Sequence, residues 1–315
     1  MKLLDNETPL VIAFTPNYFI PAATCLLSVF ESSAQEEQFH VICLLSEELP
    51  NRMQQKLQRL SAKRARFSFV NLQGKLSDIY VDAKYTIAAS YRLLLPDLLP
   101  EYDKIMYIDC DVVVRNDLAK LFRSVELGDH YLAAVFEATL DFQEKHLKKI
   151  GCDPSAYINS GFLIMNLALL RQDNMVEQFI EASKAEYLVF PDQDVLNCVC
   201  KNRILGLPPY NNCIRTFYLP QYKHFFLRRY TEHDWEAIAR HGTIHYTGAK
   251  PWNHFTIEFK VWWQYYDRLP KEIKDEGRIS KKMYYLYKFY KTAVGASLMD
   301  GVQSLYRKLK YRKER

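Results

Sequence analysis

The stretch KIMYIDCDVVVRNDL (104–118) decides the fold, because it predicts a buried strand that ends in two closely spaced acids. Asp109 and Asp111 are separated by one residue, so in an extended chain their side chains point the same way. Two like charges at the end of a core strand are costly unless a positive charge lies between them. The pair therefore predicts half of a divalent-cation site, and the alternative is a pair of solvated loop acids.

Strands and helices alternate on the amino-terminal side of this stretch. The alternation predicts right-handed crossovers and a largely parallel sheet. The predicted elements are strands at 9–15, 39–45 and 65–70 and helices near 22–31 and at 49–64, with Pro16 and Pro21 in the loop before the first helix.

The pattern continues around and after the acidic pair, with a predicted helix at 89–100, predicted core strands at 131–137 and 161–166, and a predicted helix at 191–202. The fold class is therefore α/β. In open sheets of this class, ligands bind beyond the carboxyl ends of the strands, near a reversal of strand order. Asp109 and Asp111 are predicted to lie at such a strand end.

Charge is distributed unevenly over the 315 residues. Residues 278–315 hold 11 Lys/Arg and 2 Asp/Glu, whereas the rest of the chain holds 31 and 35. We therefore predict a globular unit over residues 1–270 and a basic, aromatic-rich helical tail over 271–315. This distribution argues against a nucleic-acid-binding body and favours an anionic partner for the tail.

Two features indicate the compartment. The amino terminus has no long apolar segment, so no signal peptide is predicted. The seven cysteines form no CxxC pair, which favours reduced thiols in the cytosol.

Two enzyme classes use a strand-exit pair such as YIDCDVVV. The stretch resembles the first motif of haloacid-dehalogenase-type phosphatases, where the first acid, here Asp109, is a nucleophile. It also resembles the DxD of nucleotide-sugar glycosyltransferases, where both acids hold a metal on a diphosphate. The phosphatase motif would lie on the opening strand of its domain, whereas here three strand–helix units come first. That position favours the glycosyltransferase interpretation.

The segment TIHYTGAKPW (243–252) supplies a third ligand candidate. Asp109, Asp111 and His245 together suit Mn²⁺ better than Mg²⁺, because imidazole is a softer ligand than oxygen. Gly248 would allow close approach of a phosphate, and Lys250 would supply a positive charge.

In its ordered motifs the chain resembles glycosyltransferase family 8, the retaining nucleotide-sugar transferases that include bacterial lipopolysaccharide galactosyl- and glucosyltransferases. The resemblance runs from about Leu10 to about Tyr266, and it implies a single Rossmann-like domain of the GT-A type. The motifs that carry it are VIAFTPNY, YRLLLPDLLPEYDKIMYIDCDVVV, YINSGFLIMNL, PDQDVLN and HYTGAKPW.

The resemblance also implies roles for individual residues. The metal ligands would be Asp109, Asp111 and His245. The donor's uridine would contact Ala13 and Asn17, with Thr15 where many members have an acid near the uracil. Gly248 and Lys250 would contact the diphosphate, and Glu137 would contact the acceptor. The donor sugar would be held by Arg92, Asn159, Gly161, Asp192 and Gln193. Of these, Gln193 lies at the family's candidate catalytic position.

The implied reaction is transfer of glucose or galactose from UDP-glucose or UDP-galactose to a glycan or lipid-linked saccharide, as in lipopolysaccharide or surface polysaccharide synthesis. Mn²⁺ is the expected metal, with Mg²⁺ possible. A catalytically inactive sugar-binding relative is the other alternative. Residues 281–295 mix lysines with aromatic residues, and residues 302–315 place apolar residues at helical spacing with cations elsewhere, a pattern typical of helices at an anionic membrane surface. We therefore expect a cytoplasmic protein on the inner face of the cell membrane; the alternative is a tail helix packed on the domain.

Overall fold

The computed structural model describes residues 7–80 and 86–301. Nine strands lie in these ranges: β1 (Glu7–Phe14), β2 (Gln38–Leu45), β3 (Ala65–Asn71), β4 (Lys104–Asp109), β5 (Val112–Val113), β6 (Leu132–Phe136), β7 (Ile158–Asn166), β8 (Ile204–Gly206) and β9 (Ile244–His245).

Helices cover much of the remaining described chain. The α-helices are α1 (Phe19–Ser32), α2 (Asn51–Leu60), α3 (Ile87–Ser90), α4 (Leu95–Leu98), α5 (Leu118–Ser124), α6 (Asp141–Lys149), α7 (Leu167–Gln172), α8 (Met175–Ala182), α9 (Pro191–Val199), α10 (Lys223–Phe226), α11 (Glu232–His241), α12 (Phe259–Arg268), α13 (Lys271–Lys274) and α14 (Lys281–Tyr290). The 3₁₀ segments are Pro16–Tyr18, Tyr91–Leu94, Pro154–Ala156, Pro209–Asn211, Arg215–Tyr218 and Pro220–Tyr222.

The main sheet has seven strands in the order β3-β2-β1-β4-β7-β6-β8. All pair in parallel except β7, which runs antiparallel to β4 and β6. The first strands are apolar because both sheet faces are covered, so β1 is buried from Thr8 onwards. The predicted α/β class with a mostly parallel sheet is confirmed.

The order of the sheet reverses between β1 and β4. The chain goes outward through β2 and β3 and then returns to the other side of β1, where Ala13 pairs with Asp109. Antiparallel β7 brings its first residues to the same edge, because Ile108 pairs with Phe162. The carboxyl end of β6 also lies there, since the Glu137 amide donates to the Tyr157 carbonyl at 2.8 Å. Strands β1, β4, β6 and β7 thus all deliver residues to one reversal point.

A separate two-stranded ladder completes this edge. β5 and β9 pair antiparallel, and Val112 lies opposite His245. Residues more than 130 positions apart in sequence are thereby placed side by side.

The carboxyl-terminal helices pack on the same body. Trp262 and Trp263 of α12 are buried, and the Tyr287 ring of α14 stacks on Trp263 with a centroid distance of 5.8 Å. Ile273 of α13 is buried in the same apolar cluster. The proposed division at residue 270 stays a prediction, and the predicted helical pattern at 302–315 lies outside the described residues. Within residues 7–80 and 86–301, no helix has both the length and the apolarity needed to cross a bilayer.

Several predicted boundaries need correction. Pro21 lies inside α1, not in the loop before it, because a first-turn proline loses no intrahelical hydrogen bond. The predicted helix at 89–100 is divided among α3, a 3₁₀ segment and α4, and Pro96 lies at the start of the last piece. The predicted helix at 49–64 ends at Leu60, the helix at 191–202 ends at Val199, and the strand predicted from 161 begins at Ile158.

Candidate active site

Asp109 and Asp111 each have one carboxylate oxygen anchored by protein donors. The Oδ1 atom of Asp109 accepts from Arg92 Nη2 at 2.8 Å and from the Tyr107 hydroxyl at 3.0 Å. The Oδ2 atom of Asp111 accepts from Lys250 Nζ. Among the described residues, only His245 faces the other oxygen of either acid. Both acids therefore direct an open oxygen toward one point.

His245 supplies the third polar atom at this point. Its Nε2 lies 3.3 Å from Asp111 Oδ1 and 3.7 Å from Asp109 Oδ2. One ligand atom from each of the three residues lies within 4.8 Å of the others. The register of β9 against β5 produces this convergence, which the two sequence motifs alone could not establish.

Asn212 orients the ring of His245. Asn212 donates from Nδ2 to Asn159 Oδ1 at 2.9 Å, so its Oδ1 faces His245 Nδ1 at 3.0 Å and accepts from it. Nε2 then faces the open oxygens of both acids. Two carboxylate oxygens and an imidazole nitrogen that converge on one point are a donor set that fits a divalent cation, with Asn212 as the partner that orients the imidazole.

Arg92 joins the acidic pair to α9. Its side chain is almost fully buried; Nη1 donates to the Ser160 carbonyl, and Nε lies 3.2 Å from Asp192 Oδ2. Burial alone would lower the pKa of Arg92, but Asp109 and Asp192 raise it further than burial lowers it. Arg92 is therefore a fixed positive charge that aligns two acids of the site.

Lys250 pairs with Asp111 as Arg92 pairs with Asp109. Burial alone would raise the pKa of Asp111, but Lys250 and His245 hold it well below its usual range. Burial also opposes the charge on Lys250, and Asp111 raises the pKa of that amine above its ordinary value. Both groups are therefore charged at neutral pH.

A hydrogen-bonded network extends from these charges to the carboxyl end of β6. Gln193 Oε1 accepts from Asn159 Nδ2 at 3.0 Å and from the Ser160 amide at 3.2 Å, and Gln193 Nε2 donates to Glu137 Oε1 at 3.1 Å. Desolvation raises the pKa of Glu137, while hydrogen bonds from Asn159 and its neighbours lower it in part. The predicted sugar and acceptor residues thus form one connected group.

Asp192 is buried beside this network. Its Oδ2 accepts from Ser160 Oγ at 2.9 Å. Burial raises the pKa of Asp192, and the positive charge of Arg92 offsets part of that rise. Two residues along α9, Asp194 instead accepts from Tyr157 at 2.5 Å and from the Val189 amide at 2.9 Å, which makes it a structural acid.

Two glycines meet steric demands at the site. A Cβ atom at Gly161 would lie 2.1 Å from His245 Cε1 and 2.8 Å from Asp109 Oδ2, so a larger residue there displaces the cluster. Gly248 has φ +83°, a conformation that L side chains rarely adopt.

The predicted uridine contacts lie at the amino-terminal side of the cluster. Ala13 is the sheet neighbour of Asp109, and the Thr15 carbonyl accepts from the Tyr18 amide at 2.8 Å. Asn17 is exposed and lines a cavity of about 180 Å³ with Trp252 and other residues. Apart from Gly248, the structure gathers the other predicted site residues in a single network, and their roles stay predictions.

Sequence reasoning missed Asn212 and Tyr107 as site residues. Tyr107 precedes Asp109 by two positions, so strand alternation could have placed its ring on the same side. Asn212 lies in an irregular segment after β8 with no periodic pattern. Its contact with His245 depends on long-range pairing.

Comparisons with known proteins agree with this geometry. The model of the family described as Glycosyl transferase family 8 matches residues 9–256. The chain is 28% identical over 267 residues to the lipopolysaccharide 1,2-glucosyltransferase of Escherichia coli, covering 80% of this chain and 76% of that protein. It is 31% identical over 179 residues to General stress protein A of Bacillus subtilis (strain 168), covering 54% of this chain and 61% of that one.

Solved structures share the fold. The galactosyltransferase LgtC, solved with donor and acceptor sugar analogs, superposes with a TM-score of 0.71 at 23% identity, covering 85% of this chain and 100% of that one. The bifunctional glycosyltransferase WbbM gives a TM-score of 0.72 at 22% identity, covering 88% of this chain and 53% of that one. The chain thus spans 61% of the Bacillus protein and about half of WbbM.

The family match includes β1, both acids of the 104–118 stretch, α9 and His245. Because it covers well over half of the sequence, the protein belongs to glycosyltransferase family 8.

Proposed function

We propose that the protein is a metal-dependent retaining glycosyltransferase that moves glucose or galactose from a uridine diphosphate sugar to a hydroxyl of a saccharide or lipid-linked saccharide. One observation carries this proposal. The open oxygens of Asp109 and Asp111 and the Nε2 atom of His245 converge where the strand order of the sheet reverses.

The three residues of this cluster would hold the metal. Two carboxylates with one imidazole favour Mn²⁺, and Mg²⁺ is the second choice. When bound there, the cation offsets the negative charge that develops on a leaving diphosphate.

The protein's own residues hold the rest of the donor. Ala13, Thr15 and Asn17 border the position for the uridine, and Gly248 and Lys250 lie on the diphosphate side. Arg92 and Ser160 both contact Oδ2 of Asp192, which leaves its Oδ1 to accept from a sugar hydroxyl.

The chemistry of the Gln193 side chain helps to choose the route of substitution at the anomeric carbon of the donor sugar. An amide is a poor nucleophile, and both polar ends of this one are already hydrogen-bonded. We therefore favour attack on the same face of the sugar. The bond from the acceptor oxygen to the anomeric carbon forms as the bond to the diphosphate oxygen breaks, and the acceptor proton passes to that leaving oxygen. Asn159, Gly161 and Arg92 keep the pocket rigid while this occurs.

Glu137 is the proposed acceptor contact, since it ends the Gln193 network just beyond β6. The names of the relatives support a lipopolysaccharide or surface polysaccharide acceptor. The phosphatase alternative loses support, because the acidic pair ends the fourth strand of a family 8 fold. The alternative of an inactive, sugar-binding relative predicts binding without metal-dependent turnover.

A donor screen tests the proposal. Purified protein is incubated with Mn²⁺ and each common nucleotide sugar, and release of free nucleoside diphosphate is measured with and without EDTA. We expect turnover of UDP-glucose or UDP-galactose and its loss in EDTA. Binding without metal-dependent turnover would favour the inactive relative, and phosphate release from simple monoesters would favour the phosphatase.

The carboxyl-terminal helices supply the proposed membrane contact. Tyr285 and Phe289 of α14 are exposed beside Lys281 and Lys282, and Val294 is exposed further along. Lysines near lipid headgroups with rings at the boundary are typical of peripheral attachment. We propose that the protein is cytoplasmic and lies on the inner face of the cell membrane. The Tyr285→Ser/Phe289→Ser variant should sediment less with vesicles that contain anionic lipid, and unchanged sedimentation would contradict this contact.

A further inference from the structure

One face of α6 is exposed, cationic and aromatic. Phe142, Lys145 and Lys149 are spaced three and four positions apart, so they share one side of the helix. The Phe142 side chain is 76% exposed, which is unusual for a large apolar ring. This face lines an open groove of about 610 Å³ together with His146 and Lys148. We call it the α6 groove.

A second exposed ring lies beside the groove. The Tyr187 side chain is 53% exposed, and Lys149 Nζ lies 5.7 Å from the centre of its ring. Tyr187 belongs to the loop that leads into α9, the helix that carries Asp192 and Gln193. Lys149 therefore brings the end of α6 to the loop that precedes the proposed sugar-binding helix.

The lysines of the groove differ in whether an acidic side chain pairs with them. Lys148 Nζ pairs with Glu144 at 3.1 Å. Lys145 and Lys149 form no ion pair with any residue of the described ranges. Two uncompensated cations beside two exposed rings fit a ligand with an anionic substituent and an apolar face.

Hydrogen bonds connect the groove to the proposed acceptor contact. Gln143, next to Phe142, donates from Nε2 to Glu137 Oε2 at 3.4 Å, and the other oxygen of Glu137 contacts Gln193. The helix is held in place from below, because His146 Nε2 lies 2.9 Å from buried Asp194. A saccharide whose reacting sugar lies at Glu137 would therefore extend its next residues along α6.

We propose that the α6 groove binds the part of the acceptor beyond the reacting sugar, and that this part carries a phosphate or a carboxylate. This inference rests on the proposed function, since it assumes that Glu137 faces the acceptor. Phe142 and Tyr187 cover the apolar faces of sugar rings, while Lys145 and Lys149 pair with the anionic group. A saccharide fits better than a membrane, because Gln143 joins α6 to Glu137, the proposed acceptor contact.

The test uses two pairs of oligosaccharides and isothermal titration calorimetry, in the presence of UDP and Mn²⁺. One pair is a phosphorylated lipopolysaccharide core oligosaccharide and the same compound after removal of phosphate with hydrogen fluoride. The other is an oligogalacturonate and its carboxyl-reduced, neutral form. We expect the anionic member of one pair to bind about tenfold more tightly at low salt, with an advantage that shrinks as salt screens the charges.

The Lys145→Gln/Lys149→Gln variant should lose this advantage and retain the affinity for the neutral member. The matched control is Lys63→Gln/Lys184→Gln, which removes two exposed lysines outside the groove and should keep the advantage. The Phe142→Ala variant should weaken both members of a pair. Thermal melting checks that each variant is folded.

Several results would overturn the inference. It fails if neither anionic member is preferred, if the control loses the preference as fully as the groove variant, or if inorganic phosphate alone competes as well as the phosphorylated oligosaccharide. It also fails if Lys145 and Lys149 are needed for binding to anionic vesicles and not to oligosaccharides. Metal-dependent turnover of uridine donors by the parent protein is measured separately. If that turnover is present, the proposed function stands even when this inference fails.

Discussion

Two regions of the molecule hold acids that pair with Lys or Arg side chains. Asp109 and Asp111 lie at the end of β4, and Asp267 lies near the end of α12. At the sheet edge each acid is anchored through one oxygen and directs the other toward His245. At α12 both oxygens of Asp267 are used. Oδ1 accepts from Tyr284 at 3.3 Å, and Oδ2 accepts from Tyr287 and Lys288, each at 3.2 Å.

The difference separates a binding acid from a structural acid. A carboxylate whose oxygens are both satisfied by the protein joins two elements, here α12 and α14. A carboxylate with one oxygen held and one open is oriented but still able to bind a ligand. The same contrast distinguishes Asp194 from Asp192 on α9, two residues apart.

Replacing either open acid should have the largest effect. Asp109→Asn and Asp111→Asn each remove a proposed metal ligand, so turnover of the uridine donor should fall by about 10³-fold. Initial rates of UDP release across a Mn²⁺ titration provide the measurement. Turnover near that of the parent protein would contradict the distinction between binding and structural acids, because the open oxygens would then have no role in the reaction.

Gly161→Ala should follow, with a loss of about 10²-fold. The added methyl group would overlap His245 and crowd Asp109, so the three donors cannot keep their separation. UDP release is again the measurement. Gly301→Ala is the control, because a Cβ atom there meets no heavy atom of residues 7–80 and 86–301 within 4 Å. Equal activity of the two variants would contradict the crowded geometry.

Asn212→Ala should have a smaller effect that appears as weaker metal binding. Without its Oδ1 acceptor, the imidazole of His245 is no longer held in one orientation, and loss of such a partner costs about 10- to 100-fold in metal affinity. The Mn²⁺ concentration for half-maximal turnover should rise, while the rate at saturating Mn²⁺ falls less. An unchanged Mn²⁺ dependence would show that Asn212 does not orient the histidine.

Asp267→Asn should leave turnover unchanged and lower the free energy of unfolding by about 1 kcal/mol. Burial raises the pKa of Asp267, but Lys288, Tyr287 and Lys291 lower it further, so the folded-state value is depressed. This stabilisation is therefore present above the ordinary carboxyl pKa and is lost as pH falls through the folded value. Thermal melts of parent and variant should differ at pH 7 and converge as the pH falls below the depressed pKa of Asp267. A large loss of turnover would place Asp267 with the open acids.

Much of the site follows from local sequence patterns. Apolar runs predicted β1, β2 and β4, and the one-residue spacing of Asp109 and Asp111 predicted their common direction. The order of the motifs predicted the family. These features are local, since they depend on neighbours along the chain.

The remaining features depend on pairings that no local pattern specifies. The two-residue register of β5 against β9 places His245 beside the acids, and Asn212 reaches it from an irregular segment. The piecewise path through residues 89–100 places Arg92 between Asp109 and Asp192, although the sequence predicted one continuous helix. Tertiary packing decides these positions, and propensity does not.

The short β5–β9 ladder also fixes the order in which the protein can become competent during synthesis. A growing chain that has passed Asp111 holds two of the three proposed ligands and cannot complete the set until residues 244–245 have left the ribosome and paired with 112–113. If the cluster holds Mn²⁺ as proposed, fragments that stop before β9 lack the imidazole ligand and should not retain the ion.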